Sequence, residues 1–414
     1  MPVKKEGHIM SERKLWNRDF ILLLQGSAVS KIGDILYSVA IGYWVYEKTG
    51  SNTLLGFMSS ISSFMAMFLS PFSGSITDKL NRKHVIVGMD MVRGVIMVIA
   101  GILALQDNLT TSMVLVFAFI ASLCAQFFDP SVSTTMIDII PHNQMVQGQS
   151  AFNGLNSLIN LIGKAISGLL VTLLGVAPII LLNGASYFLS AFTEVFIHIP
   201  KSSQQGNAVT VTSVIHDMKD AVKAIGADPF VSMFVPAALI LNLIGAGPMY
   251  MILPFCLEKG FTVDFYGALM AVETAGSLIC VLILSVLKLS GTQRYYVLLY
   301  GFGLSPILYV IAYLTHSQIL MTVMFFLGCF TNTMGNAVFN ASLTLALPED
   351  NRGAIIGFVQ AFSMGGCALS SLVYGMLCDA FSIVPVFVVG TLMTIIPSLV
   401  VCLNKKTKTF VETH

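Results

Sequence analysis

The chain has 414 residues, 55% hydrophobic and only 10% charged, with a formal net charge of +1 and a mean hydropathy of +0.82. A soluble domain carries about a quarter charged residues, so most of this chain belongs in lipid. Its near-neutral balance supplies no field for nucleic acid. The first eighteen residues are polar and basic, and do not read as a removable signal peptide. The seven cysteines lie mostly inside apolar runs without paired spacing, which reads as buried side chains rather than a disulfide framework or a metal site.

A helix needs about twenty apolar residues to cross the hydrocarbon core. In chain order such runs lie near 19–46, 52–76, 85–105, 111–138, 146–174 and 178–199. After a more polar stretch they resume near 230–256, 264–288, 295–314, 318–346, 354–377 and 382–403. Twelve spans are expected. With the N-terminus in the cytoplasm, 17 of the 22 lysines and arginines fall in inner segments, and only Lys48 and Lys259 in outer loops. That bias puts both termini in the cytoplasm. The other three cations, Lys31, Arg93 and Lys164, lie inside spans.

The segment 200–228 separates residues 1–199 and 229–404, each with six spans, and 405–414 forms a tail. In the linker Val214, Ile215, Met218, Ala221, Val222 and Ile225 recur at helical spacing, the pattern of an amphipathic helix on the inner membrane surface. The halves look related. The stretch beginning at Ile139 aligns without gaps to that beginning at Ala346, matching Pro141 to Pro348 and Gly168 to Gly375, an offset of 207. The expected fold is all-α, two pseudo-symmetric six-helix bundles, as in transporters built from parallel repeats.

The stretch GSITDKLNRKHVI, Gly74 to Ile86, concentrates charge in the loop between the second and third spans. It resembles the loop between helices two and three of the major facilitator superfamily, with Gly74, Asp78, Lys79, Arg82 and Lys83 filling the pattern and Asn81 where a glycine is usual. The resemblance implies a cytoplasmic gating latch. SKIGD at Ser30–Asp34, FFDPS at 127–131, LPF at 253–255 before YGALMAVETAG, and LPEDNRGAIIGF at 347–358 resemble the macrolide-efflux-type branch of drug exporters. In the fifth span GKAISG replaces the Gly-Pro-x-x-Gly-Gly pattern of many drug–proton antiporters, with Lys164 at the proline position.

Ionised groups at mid-membrane are costly and normally face a partner or a water-filled cavity. Asn153, Asn156, Asn160 and Lys164 share one face of the fifth span, and Ser27, Lys31, Asp34 and Ser38 one face of the first. The fourth carries Gln126, Asp129 and Ser133; the tenth carries Asn332, Asn336 and Asn340; the eighth carries Glu273 and Ser277. The 207-residue offset maps Asp129 onto Asn336 and Ser133 onto Asn340, so polar faces correspond in the two halves. Asparagines and serines also serve as interhelical glue, and Lys31 with Asp34 has the spacing of a private salt bridge. Asp90 and Arg93 read as support for the latch, and Glu194 and His198 as interfacial. Asp34, Asp129, Lys164 and Glu273, with Asn153, Asn156, Asn160, Asn332, Asn336 and Asn340, are the candidate substrate or proton pathway, one of Asp34, Asp129 and Glu273 carrying the proton and Lys164 pairing with it or facing an anionic or carbonyl-rich cargo.

The resemblance implies a monomeric bacterial inner-membrane exporter of an amphipathic drug or antibiotic, exchanging it for protons by alternating access, without a cofactor. A dedicated exporter of a siderophore, peptide metabolite or lipid is the alternative, and a non-transporting sensor a remote one. No HExxH, GxSxG or Walker loop points to an enzyme.

Overall fold

The apolar runs fold as helices because in lipid only internal backbone bonding satisfies every N–H and C=O. A computed structural model describes residues 14–199, 211–227, 231–347 and 352–413; within these it gives the backbone but not the side chains of Ser75, Asp78, Lys79, 211–215, Asp217, Gly353 and Ala354. Twelve helices among the described residues are long and apolar enough to span a membrane, as expected. The contacts group the chain into two units, 1–41 with 69–209, and 42–68 with 210–414.

The first half forms α1 (Arg18–Thr49), α2 (Asn52–Lys79), α3 (Arg82–Leu105), α4 (Thr111–Ile139), α5 (Met145–Leu174) and α6 (Val176–Glu194). Asn17 starts α1 by accepting from Phe20 N at 2.9 Å and ties it to α4 by donating to Ile139 O at 2.9 Å. The turn between α5 and α6 falls at Gly175, whose φ of +79° a residue with a Cβ rarely adopts. Phe20, Leu23, Phe128, Val132, Met136 and Ile140 form the apolar core of this unit.

The second half forms α7 (Val211–Ala227), α8 (Val231–Gly245), α9 (Gly247–Tyr250), α10 (Ile252–Glu258), α11 (Val263–Val286), α12 (Gly291–Leu314), α13 (Gln318–Ala346), α14 (Arg352–Ala380), α15 (Ile383–Met393), α16 (Ile395–Cys402) and α17 (Lys405–Thr413). The hairpin 42–68 groups with this half because α2 meets α14 at backbone distance. Ser371 Oγ donates to Gly56 O at 3.2 Å, and Asp379 accepts from the N–H groups of Asn52 at 2.7 Å and Thr53 at 2.9 Å. A carboxylate there closes the orphan donors of the first turn of α2. Lys259 donates to the carbonyls at the C-terminal end of α12, Tyr313 O and Thr315 O, both at 2.5 Å, and burial lowers its pKa below the usual lysine range.

The run expected as one span at 230–256 is broken into α8, α9 and α10. Pro248 has no N–H to give Ile244 O, the carbonyl four residues earlier. Tyr374 Oη on α14 donates to that carbonyl instead, at 2.8 Å. Tyr374→Phe is therefore expected to cost about 1–3 kcal/mol by leaving a polar group unpaired. Unfolding of the purified protein in a denaturing detergent series would read it, with Tyr309→Phe, whose partner is a half-buried carboxylate, as the comparison.

Helix pairing repeats between the halves. In the first unit α3 packs on α4 and α6; in the second α12, six spans later, packs on α13 and on α15 with α16. Where α12 meets α13, Gly301 faces Gly335 at backbone distance: a Cβ on Gly301 would stand 2.5 Å from the Gly335 backbone.

The linker helix α7 corrects an expectation. Ala221 and Ile225 are buried in a cluster with Phe234, Tyr295 and Ile355, so that stripe docks on protein rather than on lipid, while Val222 stays exposed. Val214 and Ile215 have side chains outside the described ones. The tail is likewise a docked helix: Thr407 and Val411 of α17 are buried, and the Lys408 ammonium lies over the Tyr295 ring, 5.4 Å from its centroid.

Candidate functional site

Polar side chains in the first unit converge where α1, α3, α4 and α6 meet. Gly26 and Gly33 let α1 and α6 approach: a Cβ on Gly26 would stand 2.9 Å from Glu194 Oε1, and one on Gly33 would collide with Ser186 and Asn183. Tyr187 Oη donates to Asp34 Oδ1, and Asn183 lies on the same face of α6, four residues before Tyr187. Arg93 is enclosed, with its guanidinium 4.7 Å from the Phe128 ring centroid and 5.4 Å from that of Tyr187. Its Nη1 lies 3.5 Å from Asp90 Oδ1, and its charge also acts on Asp34 and Asp129.

Several expectations are revised by this geometry. Arg93 lies against Asp90 and the Phe128 and Tyr187 rings, and its charge acts on Asp34 and Asp129. Glu194 is buried, 1% exposed, and accepts from Ser190 Oγ at 3.2 Å, so it is not interfacial. His198, four residues on, is exposed as expected, and its backbone N donates to Asp19. Lys31 is exposed; its charge acts on Asp34 and Asp129, but Asp34 is bonded to Tyr187 instead of forming a private pair with it. Arg93 and Lys31 are cations whose charge acts on Asp34 and Asp129.

Six buried polar atoms of this core make no hydrogen bond: Ser27 Oγ, Asp90 Oδ2, Arg93 Nε and Nη2, Asn183 Nδ2 and Glu194 Oε2. Each open valence costs about 1–3 kcal/mol if it stays dry. Such a concentration marks a place kept for function rather than for stability.

On α5 the chain is unbroken through Gly163–Gly168, as lysine in place of proline allows. Lys164 is half-buried, and its carbonyl accepts from Ser167 Oγ at 2.8 Å. Asn156 O accepts from Asn160 Nδ2 at 2.8 Å, and the exposed Asn153 accepts from Gln149 at 3.2 Å. Asp129 is exposed on α4.

The second unit has a separate polar group. Glu273 on α11 accepts from Tyr309 Oη at 3.3 Å, and its charge acts on Tyr266 and Tyr313. Ser277 pairs with Thr333 at 3.0 Å, and Asn336 Nδ2 donates to Asn332 Oδ1 at 2.8 Å; Asn340 is exposed.

In the charged loop Arg82 donates to Asp138 at the end of α4. Asn81 has an ordinary φ of −71° and caps α3, its side chain accepting from Lys83 N, so the missing glycine is replaced by a cap. An added Cβ on Gly74 would meet nothing within 4 Å. The side chains of Asp78 and Lys79 lie outside the described ones.

The sequence reading missed Tyr187 and Ser190 as partners of the carboxylates, and Tyr309 as the partner of Glu273. Asn183, Tyr187, Ser190 and Glu194 fall at i, i+4, i+7 and i+11, a single polar stripe of α6 that the same helical projection displays.

Comparison with known proteins agrees with the architecture. The family model for the Major Facilitator Superfamily matches residues 23–371. Macrolide efflux protein A of Streptococcus pyogenes is 24% identical over 192 residues, 46% of this chain and 47% of that protein. An uncharacterised MFS-type transporter of Bacillus subtilis, YkuC, is 22% identical over 261 residues, 60% of this chain and 59% of the relative. The matches thus span roughly half the length of these relatives. Among solved structures, nucleoside transporter NupG superposes with a TM-score of 0.71 at 16% identity, covering 92% of this chain and 98% of that one. A bacterial homologue of the iron transporter ferroportin in an inward-facing state gives 0.71 at 15% identity, covering 94% and 99%. At these identities the structures establish the fold. With a family match over most of its length and twelve spans in paired bundles, the chain belongs to the major facilitator superfamily and is a multi-pass membrane transporter.

Proposed function

We propose that this transporter exports an amphipathic drug or antibiotic across the bacterial cell membrane in exchange for protons, by alternating access. The observation that carries this reading is the composition of the first unit's polar core. It gathers four acids, Asp34, Asp90, Asp129 and Glu194, around two cations, Lys31 and Arg93. Four acids outnumber the two bases, and Asp90 and Glu194 among them are buried. A surplus acid there binds a proton or a cationic amine, and competition between the two is a means of exchange. The partial likeness to macrolide efflux protein A supports the direction and the cargo class. Both termini lie in the cytoplasm on this reading, and the monomer is the working unit. The carboxylate that couples the proton is one of Asp34, Asp129 and Glu273.

The test is radiolabelled erythromycin transport in proteoliposomes with and without an imposed pH gradient. Wild type is expected to accumulate it only with the gradient. Asp129→Asn, Glu273→Gln and Lys164→Ala, at matched reconstitution, separate the coupling carboxylate from residues that only bind cargo. Wild-type protein that moves erythromycin under neither condition overturns the drug-export reading.

A further inference from the structure

Asp90 and Glu194 are two buried carboxylates that the export reading counts in its charge balance without giving either a step. They are 0% and 1% exposed. Ser190 Oγ donates to Glu194 Oε1 at 3.2 Å, and its hydroxyl also acts on the Asp90 carboxyl. Asp90 faces Arg93 at 3.5 Å, and the Arg93 charge reaches Asp34. Polar groups therefore follow one another from Asp34 on α1 through Arg93 and Asp90 on α3 to Ser190 and Glu194 on α6.

Open valences recur along this sequence. Asp90 Oδ2 and Glu194 Oε2, both acceptors, make no hydrogen bond; the Arg93 Nε and Nη2 donors beside them are also unbonded but carry no proton onward. A network that serves packing alone closes its bonds, whereas groups that hand on a proton need a free acceptor before each transfer. The placement of Glu194 is a second, independent observation. It ends α6, over Gly26, where a Cβ would press on its carboxyl. Four residues further the chain reaches the exposed His198, at the end of the unit that the lysine and arginine distribution assigns to the cytoplasm.

We infer that Asp90, Ser190 and Glu194 form the inner limb of the proton path, with Arg93 switching between Asp34 and Asp90 and Glu194 exchanging the proton with cytoplasmic water. The inference rests on the proton-coupled reading above. A proton on Asp34 neutralises one partner of Arg93, which then pairs with Asp90. Transfer of that proton to Asp90 returns Arg93 to Asp34. Ser190 takes the proton from Asp90 while giving its own hydroxyl proton to Glu194, which releases it to water; one proton moves and no other bond changes. The groups facing this limb are Asp34 and Lys31 from α1, Asp129 and Cys124 from α4, and Arg93 and Tyr187 on α3 and α6. Glu194 acts through the proton and touches no cargo.

The experiment compares wild type, Glu194→Gln and Glu194→Asp as full-length protein in proteoliposomes. Erythromycin is followed both under a pH gradient and in equilibrium exchange. Glu194→Gln is expected to lower gradient-driven transport at least tenfold while exchange stays within twofold, and Glu194→Asp to restore most of the driven rate. Infrared difference spectra across a pH titration, which need no cargo, are expected to lose one titrating carboxylic-acid band in Glu194→Gln. Equal loss of driven transport and exchange, or a driven rate unchanged from wild type, overturns the path. If the gradient does not drive wild type, the export reading fails and the infrared bands decide alone: a missing band that also shifts in Asp34→Asn supports the path, and an unchanged set overturns it.

Discussion

Asp34→Asn is expected to abolish gradient-driven efflux while leaving equilibrium exchange of substrate intact. Asp34 is the acid at mid-helix in α1; Tyr187 bonds it and the Arg93 charge acts on it. For one proton per substrate, each unit of pH gradient is worth about 1.4 kcal/mol, a roughly tenfold substrate gradient. Asparagine keeps the size and the bond from Tyr187 but cannot gain or lose a proton. The steady-state accumulation ratio should therefore fall from about ten per pH unit to about one. The measurement is the ratio at several imposed gradients. A slope that survives in Asp34→Asn would move the coupling role to Asp129 or Glu273. Tyr187→Phe tests the same bond from the other side and should change the pH at which the driven rate is half-maximal more than it changes exchange.

Arg93→Ala is expected to be the most destabilising single change in the first unit, by about 3–5 kcal/mol, because it strips the counter-charge from buried carboxylates. The side chain is 4% exposed, lies over Phe128 and Tyr187, and is the cation nearest to Asp90. Detergent-induced unfolding at neutral pH reads the loss. Protonating the stranded acids removes the unpaired charge, so the deficit should shrink as the pH is lowered. Arg93→Lys keeps the charge but loses the planar guanidinium that stacks on two rings, and should fall between wild type and alanine. A deficit in Arg93→Ala that is the same at acidic and neutral pH would mean that packing on the two rings, rather than charge, explains its position.

The sequence by itself determined the class of the molecule and much of its layout. Apolar run length sets how many helices cross a bilayer, because lipid offers the backbone no other partner, and twelve runs became twelve spanning helices. The loop signature at Gly74–Ile86 carried the family, since it is a local pattern of charge and turn chemistry that needs no fold to be seen. The repeat was legible as well, because duplication leaves its offset in the sequence before any contact is known. Asp34 stood out for a similar reason: a lone acid in an apolar run is costly wherever the helix packs.

Partner choice was decided only by the tertiary structure. Nothing local says that the Arg93 charge acts on Asp34 and Asp129, or that Tyr187 bonds Asp34 across 153 positions of chain. Glu194 read as interfacial because it ends a span; packing against Gly26 buried it. The α7 stripe read as lipid-facing because protein and lipid are equally apolar to a hydrophobic pattern, and only the fold placed Ala221 and Ile225 against Phe234 and Ile355. The break before Pro248 was visible as a missing donor, but the Tyr374 hydroxyl that replaces it lies 130 positions from the carbonyl it serves. Periodicity tells which face of a helix is polar; which helix that face meets is fixed by packing between segments far apart in the chain.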